Sequence, residues 1–126
     1  MRMEIPFSVT DAMVSWLARL GYNAATRRYD NSPAELVTVT RTGGRVLNLI
    51  DRPVIALQFW AGTEERAESM ANEARLALLT TCPPPGIHSV SVNTGPYPFF
   101  DAYARSPRYQ LVLDVSCQLT IETDRR

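Results

Sequence analysis

Residues 109–121, YQLVLDVSCQLTI, decide the fold. The odd positions read Tyr109, Leu111, Leu113, Val115, Cys117, Leu119 and Ile121. The even positions read Gln110, Val112, Asp114, Ser116, Gln118 and Thr120, then Glu122, with Val112 the single apolar intruder. Alternation with period two marks a β-strand that buries one face. At ~3.3 Å per residue the run would span roughly 45 Å. A compact domain of this length has a diameter of roughly 36 Å. Either the strand bends at a bulge, or it reaches past its own domain toward a neighbour. The second reading makes the chain an assembly part.

Immediately upstream, residues 94–107 read as a loop crowded with Tyr97, Phe99, Phe100 and Tyr103 beside Asp101, Arg105 and Arg108. Gly95, Pro96, Pro98 and Pro107 oppose regular structure there. Loops expose their side chains, and aromatics with Arg are enriched at interface hot spots, so the rings are expected to meet a partner. Ile87–Asn93 reads as another strand, preceded by Cys82-Pro83-Pro84-Pro85-Gly86, which no helix can cross. Before it, Thr63 caps a helix with Glu64 and Glu65 in its first turn and Ala67, Met70, Ala71, Ala74 and Leu78 at helical spacing.

Val54–Trp60 is expected to be the central strand. Ile55, Leu57 and Phe59 point one way, while Val54, Ala56 and Trp60 point the other with Gln58 alone among them. Two apolar faces need two covers, from helices or from another subunit. Further upstream, Leu36–Arg41 and Val46–Ile50 read as strands joined by a tight turn at Thr42-Gly43-Gly44, with Pro53 a break or an edge. Thr26–Tyr29 is a candidate short strand. A first helix, capped by Ser8 or Thr10 and stopped by Gly21, carries Met13, Trp16, Leu17 and Leu20 as one stripe. The sum is an α+β fold in one domain, residues 1–126, with two helices packed on a small mixed, mostly antiparallel sheet in the order α-β-β-β-α-β-β.

Composition narrows the function. With 126 residues, 45% of them hydrophobic, the chain can bury a real core. Thirteen basic residues, all Arg, balance thirteen acidic ones. That balance argues against autonomous nucleic-acid binding, which needs a clustered excess of positive charge, and no sequence-specific nucleic-acid partner is expected. The absence of Lys is read as the imprint of a GC-rich genome. No amino-terminal basic-then-apolar pattern and no long apolar run are present, so a cytoplasmic site of synthesis without membrane attachment is expected. Cys82 and Cys117 have no metal or redox spacing, and a buried free thiol is expected at Cys117.

No catalytic, cofactor or metal constellation emerges. His88 is the only histidine, and by parity with Val90 and Val92 it reads as a partly buried strand residue. No serine lies in a Gly-x-Ser-x-Gly elbow. Gly43-Gly44 sits in a hairpin, where it makes a poor phosphate cradle. Glu64, Glu65, Glu68 and Glu73, partly offset by Arg66 and Arg75, read as a solvated helix face.

Two stretches resemble the tail terminator proteins of long-tailed, siphovirus-type bacteriophages. Residues 45–79, RVLNLIDRPVIALQFWAGTEERAESMANEARLALL, are similar to that family's Asp-Arg-Pro strand with an aromatic-Ala ending and the Ala-rich helix that follows. Residues 94–120, TGPYPFFDAYARSPRYQLVLDVSCQLT, are similar to its aromatic-Pro-aspartate loop, its Pro-Arg-Tyr and its alternating strand. The resemblance covers about half the chain, with a compatible helix ahead of it. It implies a structural virion protein, not an enzyme, with no cofactor. Such a protein forms a hexameric ring that ends tail growth on the tail tube and offers the surface that joins the head.

The partners so implied are other copies of the chain, monomeric in dilute solution, the tail tube protein and a head-completion or connector protein. Its place would be the tail or neck of the virion, with DNA passing through the ring. The subunit or tube contacts implied fall on Asp51, Arg52, Tyr97, Phe99, Asp101, Arg105 and Arg108; the second apolar face adds Val54 and Trp60, and the aromatic loop adds Phe100 and Tyr103. A neck or head-completion adaptor of the same particle stays open as an alternative. So does a small dimeric α+β enzyme or ligand-binding module using the aromatic loop as a lid.

Overall fold

A computed structural model describes residues 2–99 and 106–124. Strand β1 (Arg2–Pro6) leads into helix α1 (Val9–Arg19), and β2 (Ala24–Ala25), β3 (Leu36–Leu47) and β4 (Ile50–Trp60) follow. Helix α2 (Glu64–Thr80) then crosses to β5 (Ile87–Pro98), β6 (Arg108–Gln118) and β7 (Thr120–Asp124). The main sheet has the order β2-β3-β4-β6-β5 and is antiparallel except for β2 on β3. The fold is therefore α+β with the inner order expected from the sequence, and a short strand is added at each end of the chain.

The decisive stretch behaves as two strands. From Arg108 to Gln118 every odd side chain is buried on the helix side, and the even ones, on the opposite face, are half-buried or, at Asp114, exposed. Leu119 breaks the run, and β7 turns away to pair with β1 as a separate two-stranded ribbon, Glu4 opposite Glu122 and Ile5 opposite Ile121. An eleven-residue β6 spans about 36 Å, which fits the domain. The apparent overshoot is the ribbon.

The local signals of the helices are the expected ones. The Ser8 hydroxyl accepts from the Asp11 N–H, Thr63 does the same for Arg66, and Gly21 takes a positive φ after α1. Met13, Trp16 and Leu17 of α1 and Ala67, Met70, Ala71, Ala74 and Leu78 of α2 cover the odd face of β4 and β6. The small residues of α2 let it lie close to the sheet. At its flank Arg66 bridges Glu35 (2.9 Å) and Glu73 (3.7 Å), and the Tyr109 hydroxyl donates to Glu68 at 2.7 Å. That bond to a carboxylate pushes the Tyr109 phenol up to about 12. The acidic helix face is thus partly committed to ion pairs and hydrogen bonds within the chain.

Three local expectations are corrected. The β3–β4 hairpin does not turn at Thr42-Gly43-Gly44; it runs on to Asn48 and Leu49, both with positive φ. Thr42 is instead the extra residue of a bulge between Arg41 and Gly43; Leu36–Arg41 and Val46–Leu47 lie on one continuous strand, β3, while Ile50 begins β4, which runs on through Val54–Trp60. Pro53 sits inside β4 opposite Gly44, where the ladder to β6 has a gap that accommodates its missing N–H. Residues 26–29 are not a strand; the short parallel strand is Ala24–Ala25.

On the other edge, β5 extends through Pro98, so Thr94–Pro98 is strand rather than loop. It does so by irregular register, with shifts after Ile87, Val92 and Thr94. The first shift leaves His88 as the extra residue of a bulge, which breaks its parity with Val90 and exposes it to solvent. His88→Gln should leave the unfolding free energy within ~0.5 kcal/mol of the parent. A larger loss in a denaturant titration would mean the ring packs against something.

Cys117 is fully buried and Cys82 exposed, both as free thiols. Burial, helped by nearby Asp51, pushes the Cys117 thiol up to about 11. Native protein treated with an alkylating reagent should gain one adduct, on Cys82, and two only after denaturation. Two adducts on native protein would contradict the packing described.

Candidate functional site

Both helices lie on one side of the sheet, so the even residues of β4 and β6 face away from them. Cross-strand pairing puts Trp60 beside Arg108, Gln58 beside Gln110, Ala56 beside Val112 and Val54 beside Asp114. The Arg108 guanidinium lies over the Trp60 ring at 4.3 Å and against the Phe99 ring at 4.6 Å. Arg28, brought in from the segment before β3, lies over Trp60 at 4.7 Å and donates to the Ser106 hydroxyl. The indole N–H donates to the buried Thr38 hydroxyl at 3.2 Å.

From there a polar chain runs inward. Arg108 donates to Gln58 at 3.2 Å, Gln58 donates to Gln110 at 2.9 Å, and the Gln110 amide donates to the Tyr97 hydroxyl. Trp60 is only 8% exposed. The second apolar face of β4 is therefore covered by the chain's own guanidinium groups, which spread planar cations over the ring. Neither a helix nor a second subunit is needed to hide it.

The structure thus brings together four of the residues singled out from sequence, namely Trp60, Tyr97, Phe99 and Arg108. Phe100, Asp101, Tyr103 and Arg105 lie outside the described residues. Val54 is half-buried midway along the same face. Asp51 and Arg52 stand at the far end of β4 and diverge. Asp51 is buried on the helix side, where Arg41 grips its carboxylate with two bonds of 2.7 and 2.8 Å, and that grip raises the Arg41 pKa. Arg52 is exposed and lines a shallow depression of about 330 Å³ with Ser89, Ser91, Asp114 and Ser116. Asn93 donates to the Asp114 carboxylate at 3.2 Å. Among the described residues no cluster of three or more His, Cys, Asp or Glu could hold a metal ion, and no helix is long and apolar enough to cross a membrane.

The surface that sequence reading missed is the end of the β3–β4 hairpin. Val46, Leu47 and Leu49 are exposed by 49%, 44% and 78%. Leu49 also holds a left-handed backbone, φ 64°, a costly conformation for a branched side chain. A half-signal existed, because Asn48 suits the first central position of a type I′ turn, but the second normally wants Gly. Gly43-Gly44 outweighed it. Arg28 had no local signal, since its partners lie far away in sequence.

No protein-family model matches the chain, and no curated protein matches it.

Proposed function

We propose that this chain is a structural protein of a long-tailed phage particle, a tail terminator that forms a ring on the end of the tail tube and offers the surface for head joining. The observation that carries the assembly reading is the hairpin end. Three large apolar side chains stand in water at the end of a well-packed domain, one of them on a strained backbone. Such a cluster favours a partner, because ring or tube contact would remove it from solvent. The tail assignment itself comes from the resemblance of residues 45–79 and 94–120. The Trp60–Arg108–Phe99 contacts fit the same role by fixing Phe99 and Arg108 against the helix-free face of the sheet.

The role is architectural. Trp60, Arg108, Gln58, Gln110 and Tyr97 on the helix-free face bond within the chain, and among the described residues nothing pairs with His88 in its bulge. The test is assembly of tails in cells with and without the gene. Loss of the protein should give tails of uncontrolled length that fail to join heads, and purified protein added back should end growth. Tails of normal length lacking only head attachment would favour the neck-adaptor alternative.

A further inference from the structure

The exposed tip of the β3–β4 hairpin has a counterpart elsewhere on the chain. Leu76 and Leu79, on the last turns of α2, are 64% and 50% exposed. Three residues apart, they stand together on the solvent side of the helix, while Ala74 and Leu78 pack into the core. Neither surface can cover the other within one chain, because α2 lies on the sheet that carries the hairpin and these two leucines point away from it.

Their positions suit a contact between copies. The chain leaves β4 at Trp60, where the Ala61 N–H donates to the Pro107 carbonyl, and α2 then runs back about 25 Å along the sheet. It ends near the start of β5, where Ile87 pairs with Cys117, one residue from the Ile50–Gln118 pair below the hairpin tip. Tip and helix end thus stand at the same end of the domain. A closed ring relates neighbours by rotation alone, so both halves of its contact must stand at one height along its axis.

Charge is graded to match. Leu47, Arg45 and Arg52 share one face of the hairpin, apolar at the tip and basic behind it. Arg45 and Arg52 stand directly opposite each other, both exposed and with no hydrogen bond or ion pair among the described residues, an arrangement that destabilises a hairpin left in water. The outer side of α2 is apolar at its end and acidic before it, with Glu64, Glu65, Glu68 and Glu73 offset only by Arg66 and Arg75. Glu64 and Glu65 make no hydrogen bond or ion pair among the described residues.

We infer that Leu47 and Leu49 of one copy pack on Leu76 and Leu79 of the next, with Arg45 and Arg52 drawn toward the acidic part of that helix. Tip and helix are different surfaces, so the contact is heterologous and passes from copy to copy until it closes. Few side chains take part, which keeps it weak enough for a monomer in dilute solution. The inference rests on the assembly reading above and names the contact within it.

Cross-linking tests it. In a Cys82→Ser background, Leu49→Cys combined with Leu76→Cys should give a ladder of disulfide-linked oligomers under mild oxidation at millimolar concentration, and either substitution alone should give none. Leu49→Asp, and separately Leu76→Glu with Leu79→Glu, should each weaken self-association at least about 30-fold in sedimentation velocity. Thermal melting checks that each variant folds. An equimolar mixture of these two offers one sound tip and one sound helix, so it should form one-to-one pairs and grow no further. If the parent self-associates but the doubly substituted chain gives no ladder, this contact is overturned and the ring reading stands. A dimer cross-linked through Leu49→Cys alone would mean that tip meets tip about a two-fold axis, and both readings would fall. A parent chain monomeric at millimolar concentration also overturns the contact, the tip then serving some other partner.

Discussion

Trp60→Ala should lower the unfolding free energy by about 3–5 kcal/mol, the range for deleting a buried aromatic ring. The ring is nearly enclosed, and its loss removes more than area. Thr38, itself buried, loses the indole N–H that it accepts, and the Arg28 and Arg108 guanidinium groups lose the surface on which they lie. Phe99, whose ring also lies against Arg108, would lose its anchor in turn. Trp60→Phe keeps a ring but not the donor and should cost about 1 kcal/mol from the lost hydrogen bond. Denaturant titration of both variants separates packing from hydrogen bonding. If Trp60→Ala melted like the parent and failed only in assembly, the indole would be reserved for a partner, and its enclosure by the two arginines would carry no stability.

Gly44→Ala should be the other severe change, at about 3 kcal/mol or more, because it strains the backbone and collides at once. Gly44 has φ +105°, and a Cβ there would lie 2.1 Å from the Arg52 carbonyl oxygen and 2.6 Å from the Pro53 Cα. Both atoms belong to backbone, so no side chain can swing aside. The hairpin could escape only by abandoning the bulge, and that would shift the register of every residue beyond it by one. Arg45 and Val46 would then exchange faces. Gly43→Ala is the control, since nothing lies within 4 Å of its added methyl. Equal melting temperatures for the two variants would refute the bulge described.

The sheet and its core were legible because alternation in β4 and β6 is set by burial, and burial on the helix side follows parity residue by residue. What sequence hid falls into two kinds. Bulges add a residue and reverse parity downstream: one exposes His88 in β5, and another lets β3 run through Gly43-Gly44 to the turn at Asn48-Leu49. Side-chain lids come from distant segments, so nothing local foretold that Arg28 and Arg108 would cover Trp60. Asp51 illustrates the limit for site residues. The resemblance of residues 45–79 placed it among the contacts, yet its parity with Pro53 and Ile55 pointed it toward the helices, where Arg41 holds it.

The most direct test of the account is native mass spectrometry of the full chain from micromolar to millimolar concentration, alone and with tail tubes. The prediction is monomer when dilute and a closed six-membered ring when concentrated or when tube ends are supplied. A stable two-fold dimer at all concentrations, indifferent to tube ends, would contradict it.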